Sequence, residues 1–224
     1  MSNELINADF TKRVVVRADE TPWIPSPLPG VDRRPLDRIG GEVARATTIV
    51  RYAPNSHFSA HTHDMGEEYL VLDGVFADEH GDYPTGAYVR NPPGSSHAPK
   101  VGPGCTILVK LRQMPDTETE RVLIDTNAAE WRSTGEGRET LSLYDAPDGS
   151  EQVSMERLAP GATLPAADLE GGEELFVVSG AVSNGDETYG PNTWIRTPAG
   201  RRESLSSAEG AVYWVKRGHL PAAQ

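Results

Sequence analysis

The sequence predicts an all-β protein built from two copies of one fold. The 224-residue chain contains 22 glycines and 18 prolines, and this excess over average usage is typical of many short strands joined by tight turns. Runs such as Cys105-x-Ile107-x-Val109-x-Leu111 alternate apolar and polar residues, as half-buried strands do. A shift of 106 residues aligns one half of the chain with the other, which indicates a tandem repeat.

The repeat sets the expected domain boundaries. With that single shift, Gly180 falls on Gly74, Pro198 on Pro92 and Gly210 on Gly104. Residues 115–120 are polar and charged, and a second apolar pattern resumes after residue 140. We therefore expect an N-terminal domain over residues 1–114, a linker over residues 115–140 and a C-terminal domain over residues 141–224.

Composition argues against several classes of function. The formal net charge of −12 disfavours nucleic-acid backbones and anionic membranes as partners. The sequence has no run of 18 apolar residues and no basic leader followed by an apolar core, so we expect a cytoplasmic protein. The single cysteine, Cys105, cannot form an intramolecular disulfide and is expected to be a small buried side chain.

Four residues of the first copy have the chemistry of a transition-metal site. His61 and His63 are two apart, so on a strand both leave the same face. The alternation after them places Glu67 on the inward face and Glu68 on the outward face, and His97 returns after a further strand and a Pro/Gly turn. Three imidazoles and one carboxylate can hold zinc, iron, manganese or nickel. The pattern predicts one divalent metal bound by His61, His63, Glu67 and His97.

Neighbouring polar residues are expected to have lesser roles. Tyr69, Val71 and Tyr88 lie on the ligand-bearing strands and are expected to line the cavity, either as core residues or with a tyrosine hydroxyl towards a bound small molecule. His57 is expected outside the ligand set, and His219 at the surface beyond the last strand.

The second copy has lost the histidines. At the same shift, the three histidine positions hold Ala167, Leu169 and Glu203, and only the carboxylate survives, as Glu173. We expect no transition metal there and a structural, oligomerising or ligand-binding role. A buried Glu173 must be paired or protonated, and Arg201, Arg202 or another cation is the expected partner, with a raised pKa as the alternative.

Both motifs resemble a known superfamily. The patterns His61-x-His63-x3-Glu67-x6-Gly74 and Gly86-x5-Pro92-x-Gly94-x2-His97 are similar to the two cupin motifs. The second departs at its end, where Val101 stands in place of the usual Asn. The resemblance implies two tandem cupin barrels, each a double-stranded β-helix or jelly roll, and hence a bicupin.

A closer resemblance concerns function. The segments from Glu67 to Gly74, Asp78 to Pro84, Val89 to His97 and Leu108 to Met114 are similar to the cupin domain of ChrR-type anti-sigma factors. That resemblance implies zinc and a role in the response to oxidative stress. The sigma-binding half of those proteins is a separate helical domain with its own zinc ligands, and residues 1–56 contain no histidine or cysteine, so anti-sigma activity by that mechanism is not expected. Similar stand-alone proteins look like iron dioxygenases that cleave β-diketones or hydroxylated acetophenones.

Two main functions follow, and the sequence leaves open whether the protein is an enzyme. The first is a metal-binding sensor or regulator of stress response with a small-molecule effector and a protein partner. The second is a cupin dioxygenase with a small-molecule substrate. Zinc, the expected metal, would be saturated by four protein ligands and suit regulation or a purely structural site, whereas iron, manganese or nickel would keep two positions open. By analogy with other cupins, a homodimer is expected.

Overall fold

The computed structural model describes residues 4–41 and 43–221. Within these ranges the chain is β-structure with one short 3-10 turn, Ala18–Glu20, and no α-helix. No helix in the described part is long and apolar enough to cross a lipid bilayer. The all-β prediction is confirmed.

Fourteen strands precede residue 129. They are β1 (Glu4–Ile6), β2 (Val14–Arg17), β3 (Ile24–Pro25), β4 (Val31–Gly40), β5 (Ala44–Tyr52), β6 (Ser56–His57), β7 (His61–Thr62), β8 (Glu67–Asp78), β9 (Gly81–Pro84), β10 (Ala87–Asn91), β11 (Ser96–His97), β12 (Lys100–Val101), β13 (Cys105–Leu111) and β14 (Val122–Asp125).

Twelve strands follow. They are β15 (Arg132–Gly135), β16 (Arg138–Asp145), β17 (Gln152–Leu158), β18 (Thr163–Leu164), β19 (Ala167–Leu169), β20 (Glu173–Gly180), β21 (Val182–Ser183), β22 (Thr188–Tyr189), β23 (Thr193–Thr197), β24 (Gly200–Arg202), β25 (Leu205–Ser206) and β26 (Ala211–Arg217).

The chain divides into two compact units, each a jelly roll of antiparallel strands. The first unit comprises Met1–Ala8 and Thr21–Ala128, and the second comprises Asp9–Glu20 and Ala129–Gln224. The main sheet of the first unit has the order β1-β4-β5-β13-β8-β10-β14, and the second unit has β15-β16-β17-β26-β20-β23-β2. The shorter strands form the opposing layer of each jelly roll, including the β7–β11 pair in the first unit and the β19–β24 pair in the second.

The outermost strand of each main sheet comes from a distant part of the sequence: the first unit uses a strand that lies just before the second copy, and the second unit uses one that lies just before the first copy. Strand β14 pairs with β10 of the first unit, and β2 pairs with β23 of the second. Residues 115–140, expected to be a linker, are therefore divided between the units at residue 128. In their first part Glu118 forms a buried ion pair with Arg90, whose Nη2 lies 2.7 Å from Glu118 Oε2.

Matching residues form the two cores. Tyr69, Val71, Val89 and Val109 are buried in the first unit, and Leu175, Val177, Ile195 and Val215, each 106 residues later, are buried in the second. Removing such side chains from water stabilises the fold by about 1.5–3 kcal/mol each. The repeat in the sequence is thus a repeat of inward-facing positions.

Steric constraints explain why glycine ends the first motif in each copy. Gly74 and Gly180 have φ angles of 76° and 68°, where residues with a side chain are strained. An added Cβ would also lie 2.1 Å from the carbonyl oxygen of Gly104, or 2.0 Å from that of Gly210. In both units the main strand therefore turns sharply against its neighbour at a position that only glycine fits.

Candidate metal centre

Short-range pairing brings the four predicted ligands together in the first unit. On the β7–β11 ladder His61 lies directly opposite His97. The backbone N–H of His63 donates to the carbonyl of Ser95 over 2.9 Å, and Glu67 begins β8 opposite Asn91. One nitrogen or oxygen atom from each of His61, His63, Glu67 and His97 lies within 4.8 Å of the others.

Each imidazole is held through its Nδ1 atom. His61 Nδ1 lies 3.2 Å from the carbonyl oxygen of Ser59, and His97 Nδ1 lies 3.2 Å from Asp78 Oδ2. Both partners can only accept, so both Nδ1 atoms carry the proton. His63 Nδ1 lies 3.0 Å from Ser95 Oγ, whose own proton goes to the carbonyl of Pro92 over 2.6 Å. In the neutral form of each ring Nε2 is then the atom without a proton, the arrangement that metal-binding histidines adopt.

The Nε2 atoms face a carboxylate. His63 Nε2 lies 3.4 Å and His97 Nε2 lies 3.7 Å from Glu67 Oε2, and within the described chain neither Nε2 makes a hydrogen bond. Lone pairs and a negative oxygen that face each other repel unless a cation lies between them. With metal–ligand bonds of about 2.1 Å, adjacent ligand atoms would lie about 3.0–3.4 Å apart, so the cluster is near the size that a divalent ion requires.

Burial favours the uncharged form of His63 and His97, which is the form that binds a metal, but it also favours the uncharged form of Glu67, which is not. Burial, with a contribution from His61, lowers the pKa of His63 to about 4, so its ring is neutral near pH 7. Burial also lowers the pKa of His97, although the Glu67 carboxylate opposes the shift. Burial raises the pKa of Glu67, and His97 and the hydrogen bond from Asn91 oppose that shift in part. A bound cation would stabilise the ionised form of Glu67 and so offset the effect of burial on its pKa.

In the second unit the buried carboxylate is neutralised by arginines instead of facing histidines. Glu173, 2% exposed, has Oε1 3.2 Å from Arg202 Nε and accepts a hydrogen bond at Oε2 from Arg217 Nε over 2.7 Å. The expected partner Arg202 is confirmed, and Arg217 is a second one; Arg201 instead pairs with the exposed Asp168. Within the described residues, no arginine or lysine lies within ion-pair distance of Glu67. The first unit therefore lacks the compensating cations that its repeat carries.

One aligned position is corrected by the strand register. Ala167 lies opposite Arg202 on the β19–β24 ladder, just as His61 lies opposite His97 in the first unit. Arg202, rather than Glu203, thus occupies the place of His97, because the register of β24 on β19 differs by one residue from that of β11 on β7. A guanidinium stands where the first unit has a metal-type ligand.

Two other expectations about side chains were wrong. Tyr88 lies opposite Leu70 and donates to Glu68 on the outward face over 2.9 Å, because inward positions on β10 are taken by Val89 and Asn91. His219 is not a surface residue, since its side chain is 3% exposed and its Nε2 lies 2.9 Å from Glu174 Oε1.

The remaining expectations agree with the structure. Glu68 faces away from the cluster, as expected, and Arg90 Nη1 lies 3.1 Å from its Oε2. His57 is exposed and is not part of the cluster. Cys105 is buried, and burial raises the pKa of its thiol to about 12.

Three supporting residues were not identified from the sequence. Asp78 orients His97, Ser95 orients His63, and Asn91 donates from Nδ2 to Glu67 Oε2 over 3.2 Å. A signal for them exists in the repeat, since the shift of 106 places Asn184, Arg201 and Thr197 on these positions. All three change in the copy that has lost the histidines.

The fold and the site define the class of protein: the chain is a bicupin, and its described residues contain one His/Glu cluster suited to a metal ion, in the first unit. The chain belongs to the family described as the ChrR Cupin-like domain, which matches residues 11–115 and again residues 119–221. Each match begins just before the strand that joins the other unit, β2 or β14. No protein of curated function shows a significant sequence match to the chain.

Solved structures confirm the fold. A protein from Nostoc punctiforme, named as a candidate dioxygenase, has a TM-score of 0.78 at 14% identity over 95% of this chain and 85% of its own. Oxalate decarboxylase from Lactobacillus farciminis, solved as a formate complex, has a TM-score of 0.65 at 11% identity over 94% and 87%. Oxalate decarboxylase from Bacillus subtilis, described with Mn(II) centres, has a TM-score of 0.63 at 12% identity over 93% and 78%.

Proposed function

We propose that this protein is a metal-dependent enzyme of the dioxygenase type, with iron(II) or manganese(II) held by His61, His63, Glu67 and His97. The observation that carries the proposal is the cluster of imidazole Nε2 atoms around a carboxylate that has no arginine or lysine partner among the described residues. Such a donor set suits a divalent transition metal. The fold similarity to a candidate dioxygenase and to manganese-containing oxalate decarboxylase supports a reaction on a small oxygen-rich substrate.

The exposure of the cluster favours catalysis over a structural role. His63, Glu67 and His97 are buried, whereas His61 is exposed, so one side of the cluster is open to solvent. Structural zinc sites are closed by their protein ligands, and catalytic sites keep a position open. An open side gives a substrate access to the metal.

A buried hydroxyl also favours a small-molecule ligand. Tyr69 lies two residues beyond Glu67 on the same face of β8 and is 1% exposed. Its Oη has no hydrogen-bond partner among the described residues, which costs about 1–3 kcal/mol. Burial and the nearby Glu67 carboxylate raise the pKa of Tyr69, so the hydroxyl stays protonated and can donate to a substrate oxygen.

The residues in and around the cluster would have distinct roles in this activity. A bound metal would supply Lewis acidity and, for iron, electron transfer to the reaction. Asp78 and Ser95 hold two imidazoles in the tautomer that leaves Nε2 free, and Asn91 fixes Glu67. Tyr69 would orient the substrate, and the apolar wall of Val71 and Val89 would exclude water from it.

The family match supports a second candidate function. Both halves match the ChrR Cupin-like domain, so a zinc-containing sensor or regulator with a small-molecule effector is the alternative. In that case the four protein ligands would saturate the ion and no substrate would be converted.

Metal-edge X-ray absorption of protein purified without oxygen or chelator separates the two functions. We expect one iron or manganese per chain with a coordination number near six and oxygen uptake in the presence of pentane-2,4-dione or a hydroxylated acetophenone. His63→Ala should lose the metal, whereas the matched control His57→Ala should retain it.

Tyr69→Phe tests the substrate role separately. We expect this variant to keep the metal and to lose most of the oxygen uptake. Four-coordinate zinc without exchangeable oxygen ligands in the purified protein, together with no oxygen uptake after iron loading, would overturn the enzymatic proposal in favour of regulation.

A further inference from the structure

The second unit contains a cavity at the position that corresponds to the metal cluster of the first. Its volume is about 300 Å³, which lies at the lower end of small-molecule sites. Glu173, the counterpart of Glu67, lies in its wall. The rest of the lining combines arginines with apolar side chains, among them Arg13, Arg201, Arg202, Leu175, Ile195 and Leu205.

Arg202 is the buried cation of this cavity, and it is only partly satisfied. Its side chain is 7% exposed. Its Nε lies beside Glu173, and its Nη2 donates to the carbonyl of Pro165 over 3.0 Å. Its Nη1 is buried and has no hydrogen-bond partner in the part of the chain that the structure describes. A buried charged donor without an acceptor is costly. An anionic or polar ligand that accepts a hydrogen bond from Arg202 Nη1 would remove this cost.

The other charges of the cavity leave room for an anion. Glu173 has two guanidinium partners, Arg202 and Arg217, and Arg217 lies outside the cavity lining, where it also pairs with Glu156. Arg13 donates from Nη2 to Tyr189 Oη over 2.9 Å and has no carboxylate within ion-pair distance among the described residues. Glu203 is the other lining carboxylate, and it is exposed. An added negative charge would thus meet the unpartnered Nη1 of Arg202, with Arg13 in the same lining, and the exposed carboxylate of Glu203 would oppose it.

We propose that the second unit binds a small organic monocarboxylate in this cavity, with the carboxylate on Arg202 Nη1 and the apolar body against Leu175, Ile195 and Leu205. The volume equals the share of about ten water molecules, which suits an acid of the size of benzoate or isovalerate. Arg202 occupies the place of His97, so a guanidinium anchors the ligand here in the way that a metal would in the first unit. This site does not depend on the metal or on the proposed enzymatic activity.

Calorimetric titration of metal-free His63→Ala protein tests the proposal, because this background removes any binding of carboxylates to a metal in the first unit. The probes are benzoate, phenylacetate and isovalerate, each with its neutral amide as a matched control. We expect saturable binding of at least one acid, with one site per chain and at least about tenfold weaker binding of the corresponding amide.

Three variants locate the site. Arg202→Lys keeps a cation beside Glu173 but removes the free Nη1 donor, and it should weaken acid binding by about tenfold or more. Thr197→Phe, at a half-buried position in the wall, should fill the cavity and abolish binding while all the arginines remain. Glu203→Gln should strengthen binding, since it removes the opposing charge.

Far-UV circular dichroism and the thermal midpoint show whether each variant is folded. Failure of all three acids to bind the folded background protein up to about 10 mM would overturn the proposal. Equal binding of acid and amide would overturn it too, and so would undiminished binding in both Arg202→Lys and Thr197→Phe.

Discussion

Replacing Asp78 by Asn tests whether the chain is built to hold a metal at the cluster of the first unit. Asp78 Oδ1 accepts hydrogen bonds from the His80 N–H over 2.7 Å and from Tyr83 Oη over 2.9 Å, and Oδ2 faces His97 Nδ1. Asn has the same shape, so its Oδ1 can keep the first two bonds. Its Nδ2 would meet His97 Nδ1 with a donor where an acceptor is needed.

The expected magnitude follows from that mismatch. Burial raises the pKa of Asp78, but the hydrogen bonds from His80, Tyr83 and His97 outweigh it, and the carboxyl is ionised in the native state. Loss of one charge-assisted hydrogen bond costs about 1.5–3 kcal/mol, which is about a 10- to 150-fold change in an equilibrium constant. The imidazole would also be driven to carry its proton on Nε2, where the metal must bind. We therefore expect metal affinity to fall by that factor.

Competition with a chromophoric chelator at pH 7 measures the affinity for zinc, manganese and iron(II). The matched control is Glu118→Gln, which weakens a buried ion pair with Arg90 on the outward face of the same sheet. That variant should lower the free energy of unfolding without changing metal affinity. A loss of less than about threefold in folded Asp78→Asn, or an equal loss in Glu118→Gln, would refute the reasoning.

Three further predictions concern Glu67, Glu173 and Glu156 and the partners of these glutamates. Glu67→Gln should lose tight metal binding, whereas Glu173→Gln, in the unit with arginine partners, should leave the metal content measured by mass spectrometry unchanged. Arg217→Leu leaves buried carboxylates with one cation fewer, so urea unfolding should show a loss of about 3–5 kcal/mol, against at most about 1 kcal/mol for the exposed Arg201→Leu. Burial raises the pKa of Glu156, but the charge of Arg217 and its hydrogen bond outweigh burial and hold this pKa below the ordinary value of 4.5. As the pH falls, the carboxyl is therefore protonated first in the unfolded chain. The stability that the Glu156–Arg217 pair contributes is present above about pH 4.5 and is lost as the pH falls below that value. Urea unfolding between neutral and acid pH should show a flatter pH dependence for Glu156→Gln, and an unchanged slope would contradict this assignment.

The sequence carried enough information to place the two folds and to group the four cluster residues. Residues two apart on a strand share a face, so the phase of His61, His63 and Glu67 could be predicted without knowledge of the neighbours. The repeat at 106 residues added an internal comparison, and it correctly predicted that Glu173 is paired with a cation. Both inferences rest on order along the chain, which the sequence states directly.

Pairing between distant strands is a different kind of information, and the errors lie there. Tyr88 was expected in the cavity, but the register of β10 on β8 turns it outward and puts Asn91 beside Glu67. Arg202, and not Glu203, lies at the place of His97, because the register of β24 on β19 differs by one residue from that of β11 on β7. A slip of one residue moves a side chain to the other face, and nothing local in the sequence fixes it.

What the sequence alone determined is therefore the class of fold, the repeat and the set of residues able to hold a metal, because these follow from composition and period. Only the tertiary structure decided which side chains orient the ligands, where β2 and β14 pair, and which arginine meets Glu173. Those features depend on closure of each jelly roll, which brings together residues tens of positions apart through hydrogen bonds that local preference does not specify.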